Sequence, residues 1–196
     1  MNNFPQHQIR AVYDEKTVRV YQAYSDEIAD KALARGTFVS PPFKLHRMTW
    51  IKPSFLWMMY RSGWGCKDEA QRRILAIDVT RGGFEWALAH SCPSHPGPTM
   101  SNEEYNHIKS TAPVRIQWDP ERNLQLQPLP YRSIQIGLGS DAVRLYVTEW
   151  IQNVTDITEV THSIHKLVVE NKVVAAQAML PPEQVYPYEG NAIPRI

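Results

Sequence analysis

A dense apolar segment at residues 48–65, MTWIKPSFLWMMYRSGWG, constrains the fold of this chain more than any other stretch. It holds three of the six tryptophans and three of the six methionines. So many large apolar side chains must be buried, yet the run is shorter than the ~20 apolar residues that span a bilayer. The pattern predicts a strand, then a helix over residues 55–60 that follows Pro53 and ends at Gly63. We therefore expect the central core element of a soluble domain.

The composition limits the class of protein. The 196 residues carry a net charge of +1 and are 43% hydrophobic, values typical of one globular domain without a field that attracts nucleic acid or membranes. Two cysteines are too few for a disulfide framework, and the start MNNFPQHQIR lacks the apolar region of a signal peptide. We expect a cytoplasmic protein that does not bind membranes, with one α+β domain over 6–180 and a Pro-rich tail over 181–196.

Strand and helix patterns are interspersed along the chain, with several adjacent strand pairs. This order predicts an α+β fold with mainly antiparallel sheets. Two strands at 9–13 and 17–24 are separated by a short turn, and a helix follows over residues 25–36. The other predicted elements are strands at 74–79, 114–118 and 132–138, helices after Thr80 and Ser101 and at 140–151 and 158–172, a loop at 91–100 and a turn at 119–123.

Two local motifs suggest chemistry that the wider pattern does not support. Residues 137–142 match GxGxxA between a predicted strand and helix, and Asp156 lies near the spacing of a ribose-binding acid. Too little chain follows for a second βαβ half, so a strand-to-helix turn that could at most hold a phosphate explains the motif better. His90, Cys92 and His95 lack a further ligand at a familiar spacing. We therefore predict no metal site.

Polar side chains within apolar strands are more informative. Gln22 lies among valines on one strand face, and Gln135 lies between two isoleucines. A buried amide must find hydrogen-bond partners, so each glutamine either forms a core hydrogen bond or points into a ligand cleft. Arginines on predicted strands suit bidentate phosphate recognition, or salt bridges on exposed faces; they are Arg10, Arg19, Arg115 and Arg132.

Four separated blocks carry a family resemblance. They read IRAVYDEKTVRVYQAY, RMTWIKPSFLWMMYRSGWG, QWDPER and PLPYRSIQIGL. Together they resemble the domain-of-unknown-function family 4291 over nearly the whole chain, from about residue 6 to about residue 185. The name of that family implies no reaction.

A more distant resemblance does imply chemistry. Residues 20–38, VYQAYSDEIADKALARGTF, are similar to the opening of ADP-ribosyltransferase domains, where a strand with a polar residue precedes a helix and a Gly-containing turn. In those domains the strand residue holds the nicotinamide ribose of NAD, and a middle motif packs on nicotinamide. A last strand residue, usually Glu, stabilises the ribosyl oxocarbenium ion. The resemblance implies a split sheet with flanking helices, with Gln22, residues 49–54 and Gln135 at these positions.

This resemblance predicts an ADP-ribosyltransferase-like enzyme that uses NAD. Some members of the wider fold act on RNA, so the resemblance also allows a nucleic acid as the acceptor. Gln22 and Gln135 replace the usual His and Glu, and a neutral amide cannot act as a general base. The two glutamines are expected to converge on one cleft from adjacent strands. The implied catalytic residues are Gln22, Arg132 and Gln135, and the implied nucleotide-binding residues are Arg19, Tyr24, Trp50, Lys52, Ser54 and Arg61.

Two other classes of function stay open. A non-catalytic module could bind a nucleotide, RNA or DNA through Arg47, Lys52, Arg61 and the rings of Tyr60 and Trp64. A protein-interaction domain could present its tryptophan-rich surface to a partner. Binding that weakens steeply with salt and needs no NAD would favour the first class, and oligomerisation without ligand would favour the second.

Overall fold

The computed structural model describes residues 6–98, 100–190 and 193. Strands and helices are interspersed along these ranges, which confirms the predicted α+β class. The strands are β1 (Arg10–Ala11), β2 (Thr17–Tyr24), β3 (Thr49–Ile51), β4 (Arg73–Thr80), β5 (Ser91–Pro93), β6 (Val114–Arg122), β7 (Pro128–Leu138), β8 (Ile151–Asp156) and β9 (Gln184–Val185). The helices are α1 (Asp26–Arg35), α2 (Phe55–Ser62), α3 (Arg81–Ala89), α4 (Asn102–Thr111), α5 (Ser140–Leu145), α6 (Thr158–Val169) and α7 (Val173–Ala178).

The strands form two main sheets. One has the order β2-β4-β8 and the other has the order β3-β7-β6-β5, while β1 and β9 form a separate pair. Among the described residues, β5 and β6 pair in parallel and all other strand pairs are antiparallel. The mainly antiparallel arrangement expected from the sequence is therefore confirmed.

A single backbone bridge joins the two main sheets in the part of the chain that the structure describes. The N–H of Tyr21 donates to the carbonyl of Lys52 over 2.7 Å, and the N–H of Lys52 donates to the carbonyl of Tyr21 over 3.3 Å. Lys52 is followed by Pro53, which has no N–H to extend the ladder. The sheets therefore separate at this point, and a cleft forms beside the bridge.

The apolar segment at 48–65 forms β3 and α2, as its pattern predicts. The Ser54 hydroxyl accepts from the N–H of Trp57 over 3.2 Å and caps α2. Gly63 has a φ of 58° and ends the helix in the left-handed conformation. Five of the eight helical residues are buried. This packing fixes α2 in the core. It therefore also fixes the cleft-lining residues that precede α2 or lie on it.

Both faces of β4 are covered by other elements. Leu75 and Ile77 point to the larger core, which they share with β6, β7 and α3. Ile74 and Ala76 point to a smaller core beneath α2 and α6. Burial on both faces explains why residues 74–79 form a nearly continuous apolar run instead of an alternating one.

Two predictions for the connecting segments are wrong. The predicted loop at 91–100 begins with β5, whose Cys92 is buried and which pairs with β6 at the edge of the sheet, where Pro93 is tolerated. The predicted turn at 119–123 is mostly strand, because β6 continues to Arg122 opposite β7. A shift in register between Pro120 and Arg122 accommodates the proline.

The predicted helix over residues 140–151 is too long. Helix α5 ends at Leu145, one wide helical turn follows over Tyr146–Trp150, and β8 starts at Ile151. Strand β8 pairs with the open edge of β4. Its β-branched residues fit that edge, so pairing with a distant strand outweighs the helical periodicity.

The segment after residue 180 contacts the start of the chain. Strand β9 pairs with β1, and the N–H of Tyr186 donates to the carbonyl of Ile9 over 2.8 Å. The Tyr186 side chain is buried, and its hydroxyl donates to Glu85 over 2.5 Å. Strand β9 and Tyr186 thus pack on the rest of the protein. The boundary between the domain and its C-terminal segment at residues 180 and 181 stays a prediction.

Candidate functional site

A cleft of about 680 Å³ opens where the two main sheets separate. Residues from strands β2, β3, β6 and β7 line it, together with residues from α2 and from the segments at 42–48 and 68–71. Gln22 and Gln135 both line this cleft, but from strands of different sheets with β3 between them, so the expected adjacency of their strands is wrong. The predicted site residues that line the cleft are Gln22, Tyr24, Trp50, Lys52, Arg61 and Gln135.

Gln22 is the centre of a buried hydrogen-bond network and is only 3% exposed. Its Nε2 donates to the Thr49 hydroxyl over 2.7 Å, to the Tyr24 hydroxyl over 3.0 Å and to the Trp50 carbonyl over 3.2 Å. Its Oε1 accepts from the Tyr146 hydroxyl over 2.8 Å. Burial raises the pKa of Tyr24 to about 12, so its hydroxyl stays neutral. The amide can therefore act on a ligand through the hydroxyls that it orients.

Gln135 is joined to a carboxylate beside the cleft. Its Nε2 donates to Asp119 Oδ2 over 2.7 Å, and Gln117 Nε2 donates to Asp119 Oδ1 over 3.0 Å. Gln117 and Gln135 are direct partners across β6 and β7, and both line the cleft. Two amides thus fix the orientation of one carboxylate. Asp119 on β6 therefore places a negative charge next to Gln135 on β7.

Lys52 is a buried amine at the junction of the two sheets. The residue is 5% exposed, and its Nζ donates to the Trp50 carbonyl over 3.3 Å. It has no salt bridge to any described carboxylate. Burial lowers the pKa of Lys52 to about 7, with a further contribution from the positive charge of Arg61 and opposition from Asp119.

The charge of the cleft favours anionic ligands. Lys44, Arg47, Lys52 and Arg61 line it, and Asp68 is the one carboxylate among the described lining residues. Lys44, Arg47 and Arg61 are exposed, so they can meet a ligand that enters from solvent. The whole chain is close to neutral, and this local excess of positive charge therefore arises from the fold.

Three predicted ligand-binding or catalytic residues lie outside this cleft. Arg19 forms a bidentate pair with Asp78 across β2 and β4, with distances of 2.7 and 3.0 Å. Arg132 donates to the Trp118 carbonyl over 3.1 Å. Ser54 caps α2 and lines a separate hollow of about 300 Å³. These contacts support structural roles, and a role of these three residues in ligand binding stays a prediction.

Sequence reasoning missed two residues that shape the site. Tyr146 completes the network around Gln22, which also includes Thr49 of the predicted 49–54 motif, and Asp119 joins Gln117 to Gln135. Had the strand that starts at Val114 been extended through residue 119, its period of two would have placed Gln117 and Asp119 on one face. The contact between Tyr146 and Gln22 spans 124 positions along the chain, and no local pattern indicates it.

The GxGxxA motif has a packing role. A Cβ at Gly137 would lie 2.9 Å from Met48 Sδ and 2.9 Å from the Trp50 ring, so glycine lets β3 pack closely on β7. Asp156 binds the Arg73 guanidinium over 2.5 Å, which occupies the carboxylate that the spacing assigned to a ribose.

Within the described chain, no three His, Cys, Asp or Glu side chains are grouped so that they could hold a metal ion.

The fold and the site define an α+β domain with an anion-attracting cleft between two sheets. The family model of the domain of unknown function DUF4291 matches residues 8–186. The chain belongs to the DUF4291 family, as its four sequence blocks predict. No curated protein is significantly similar to it. None of the described helices combines the length and the apolar character needed to cross a bilayer.

Proposed function

We propose that this DUF4291 protein is an ADP-ribosyltransferase-like enzyme that binds NAD in the cleft between its two sheets. The observation that carries the proposal is that Gln22 and Gln135, from strands of different sheets, line one cleft together with four cations. A dinucleotide contains a pyrophosphate, and cationic side chains are suited to bind it. Two separated, mainly antiparallel sheets are compatible with the split sheet that the resemblance implies.

The binding part of the proposal assigns phosphate and ribose contacts to different residues of the cleft. Arg47 and Arg61 are exposed at its edge, where a guanidinium can bind phosphate oxygens in bidentate geometry. The hydroxyls of Tyr24 and Thr49 are 2.9 Å apart beside the same cleft. Because Gln22 orients both hydroxyls, they are suited to hold the nicotinamide ribose.

The reactive part of the proposal places Gln135 and Asp119 at the ribose. When the bond from ribose to nicotinamide breaks, positive charge develops on the sugar, and a fixed negative charge nearby stabilises it. Gln135 cannot supply that charge. Asp119, 2.7 Å from Gln135 Nε2, does not itself line the cleft, but its charge acts on Lys52 there and would act on the ribose in the same way. An acceptor that needs no strong base fits this arrangement, and a nucleic acid would meet the exposed cations at the cleft edge.

A second candidate function is a non-catalytic nucleotide or nucleic-acid binding module. The specific observation in its favour is that the Gln22 amide is fully engaged by protein groups. Such a site needs the cations Lys44, Arg47 and Arg61, but it needs no catalytic group. A protein-interaction domain is less well supported, because the aromatic residues Trp57 and Trp64 are both buried.

Thermal unfolding with nucleotides tests the proposal. We expect NAD to raise the melting temperature, whereas NADH and ATP do not. A ligand at 100 times its Kd adds about 2.7 kcal/mol to the free energy of unfolding, which corresponds to roughly 5–10 °C for a domain of this size. The enzyme should then release nicotinamide when RNA or DNA is added. No shift at millimolar NAD would overturn the proposal.

Two variants make this test specific to the cleft. Arg61→Gln should lose most of the NAD-induced shift, because it removes a cation that lines the cleft. Arg35→Gln is the matched control, since Arg35 is exposed at the end of α1 and does not line the cleft. Stabilisation by NAD without nicotinamide release would favour the non-catalytic module. Binding of RNA or DNA that weakens steeply with salt and needs no NAD would also favour it.

A further inference from the structure

We propose that Lys52 is a nucleophilic amine that binds anionic carbonyl compounds covalently, as an imine, at the base of the cleft. This activity goes beyond the proposed function, in which Lys52 is one of the four basic residues that line the cleft, and it does not require NAD. The proposal rests on the position of Lys52, on the groups that surround its amine, and on the cations at the entrance of the cleft.

The backbone holds Lys52 in one position. Its N–H and its carbonyl both pair with Tyr21, and this pair is the bridge between the two main sheets. Pro53 and the capped start of α2 follow directly, so the chain is fixed on both sides. The side chain lines the cleft from this rigid point. A reactive group held by a strand and a helix is positioned more precisely than one on a loop.

The surroundings of Lys52 favour its uncharged form. The residue is 5% exposed, its Nζ donates to one carbonyl over 3.3 Å, and it forms no salt bridge with a described residue. The pKa of about 7 that follows from burial leaves about half of the amine uncharged at pH 7. An exposed lysine is uncharged in only about 0.05% of molecules at that pH. The uncharged amine is the nucleophile.

Two charged groups, one on α2 and one on β6, act on Lys52. Arg61 on α2 lowers the pKa of the amine, and Asp119 on β6 raises it. The other charged residues of the described cleft lining are Lys44, Arg47 and Asp68. Since cations predominate, a carbonyl compound with a phosphate or carboxylate group would be held with its anion at the arginines and its carbonyl near the amine.

The chemistry balances without an oxidant or a reductant. Lys52 Nζ attacks the carbonyl carbon, a C–N bond forms, and the carbonyl oxygen takes up a proton to give a carbinolamine. Loss of water then gives the C=N bond of the imine. Water in the cleft carries the proton from the attacking nitrogen to the carbonyl oxygen and then to the departing hydroxyl. Asp119, fixed by Gln117 and Gln135, forms no salt bridge with Lys52 and acts on it only through its charge.

Labelling with pyridoxal 5′-phosphate, an anionic aldehyde, tests the proposal on the full chain. Borohydride reduction fixes the imine, and peptide mass spectrometry locates it. We expect Lys52 to react roughly 1,000-fold faster at pH 7 than exposed lysines such as Lys16, because it has the larger uncharged fraction. Its rate should reach half of its maximum near pH 7, and inorganic phosphate should compete with the probe.

Variants of Lys52 show whether this residue carries the label, and melting curves show whether each variant is folded. Lys52→Arg and Lys52→Met should both lose the fast-reacting site, and Lys52→Met avoids burying a larger cation. Lys67→Arg is the matched control, since Lys67 is exposed and does not line the cleft. A melting curve of each variant confirms that it is folded. Fast labelling of Lys52 that persists at high salt but is blocked by phosphate supports a specific anion site.

Even labelling across the exposed lysines, or a Lys52 rate that still rises steeply through pH 9, would overturn the proposal. The NAD experiment is measured separately on unlabelled protein. Fast labelling of Lys52 without an NAD-induced shift would therefore count against the proposed transferase alone. An NAD-induced shift without fast labelling would count against the nucleophilic role of Lys52 alone.

Discussion

Gln22 links three separate parts of the chain. Its amide binds Tyr24 within β2, Thr49 and Trp50 on β3, and the hydroxyl of Tyr146 from the turn after α5. The amide is therefore a structural part of the cleft lining whatever ligand binds there. A buried polar network of this kind fixes one arrangement of the surrounding strands, because each unpaired member would carry a desolvation penalty.

Replacement of this amide should weaken the fold measurably. In Gln22→Leu the hydroxyls of Tyr146 and Thr49 lose a partner inside the protein, and each buried unsatisfied group costs about 1–3 kcal/mol. We expect the free energy of unfolding to fall by roughly 2–4 kcal/mol, measured by urea denaturation with an unchanged slope.

A double variant separates the hydrogen bonds from simple packing. Tyr146→Phe removes the hydroxyl that Gln22→Leu leaves without a partner, so the double variant should be less destabilised than the sum of the two single variants by about 1–2 kcal/mol. Strict additivity of the two changes would contradict a coupled network. It would mean that the two side chains contribute independently.

At the scale of single residues, the sequence indicates which polar side chains are unusual but not their partners. Gln22 and Gln135 stand out because an amide in an apolar strand needs hydrogen bonds. Asp119 did not stand out, because Asp-Pro is typical of a turn. The reactivity of Lys52 could not be predicted either, since it depends on burial and on Arg61 and Asp119, which the fold brings together.

Two consecutive glycines in α3 have opposite surroundings. A Cβ on Gly83 would overlap the Trp150 ring, whereas a Cβ on Gly82 would meet no atom of the described residues within 4 Å beyond its chain neighbours and its own helix backbone. The N–H of Gly83 also donates to the hydroxyl of Thr80, the N-cap residue of α3, over 3.1 Å. The close approach of α3 to the turn after α5 therefore depends on Gly83.

These glycines give a matched pair of variants on one helix. Gly83→Ala should lower the free energy of unfolding by roughly 1–3 kcal/mol, because the indole of Trp150 must move out of a packed core. Gly82→Ala should leave it unchanged or raise it by up to about 1 kcal/mol, because alanine favours the helix. Denaturation curves of the two variants provide the measurement. Equal effects would mean that the Trp150 contact does not limit the packing of α3.

At the scale of elements, burial on both faces and clear periodicity made β4, α1 and α2 predictable. The missed strands β5 and β8 lie at the edges of their sheets. An edge strand depends on a partner elsewhere in the chain, and its own residues carry a weak pattern. For β8 the signal was also hidden, because Trp150 and Ile151 continue the helical spacing of the preceding segment.

At the scale of the whole molecule, the cleft exists because two sheets meet at one bridge. That bridge joins Tyr21 to Lys52, and the sequence between them contains α1 and a proline-rich loop. Local patterns cannot predict such a pairing, since it depends on the packing of α2 against both sheets. The fold class was therefore accessible from the sequence, whereas the order of the strands and the charge of the cleft were not.

A buried carboxyl group connects the segment after residue 180 to the start of α2. Glu183 Oε1 accepts from the N–H of Phe55 over 2.6 Å, at the start of α2. Burial raises the pKa of Glu183 to about 8, and the negative charge of Glu121 contributes to this increase. The carboxyl group is therefore largely protonated at neutral pH in the folded protein, although it lies at a helix N-terminus.

This carboxyl group should make stability depend on pH. The folded protein binds the proton more tightly than the unfolded chain, whose carboxyl keeps a pKa near 4.5. The free energy of unfolding therefore falls as the pH rises from about 4.5 to about 8, and it levels off above that range. Glu183→Gln keeps an oxygen for the Phe55 N–H but cannot ionise. It should match the wild type at pH 5 and exceed it at pH 9 by roughly 2–4 kcal/mol. Glu15→Gln changes a glutamate in an exposed turn and should show the same dependence of unfolding free energy on pH as the wild type. If the pH curve of Glu183→Gln also ran parallel to that of the wild type, Glu183 would already be ionised in the folded protein.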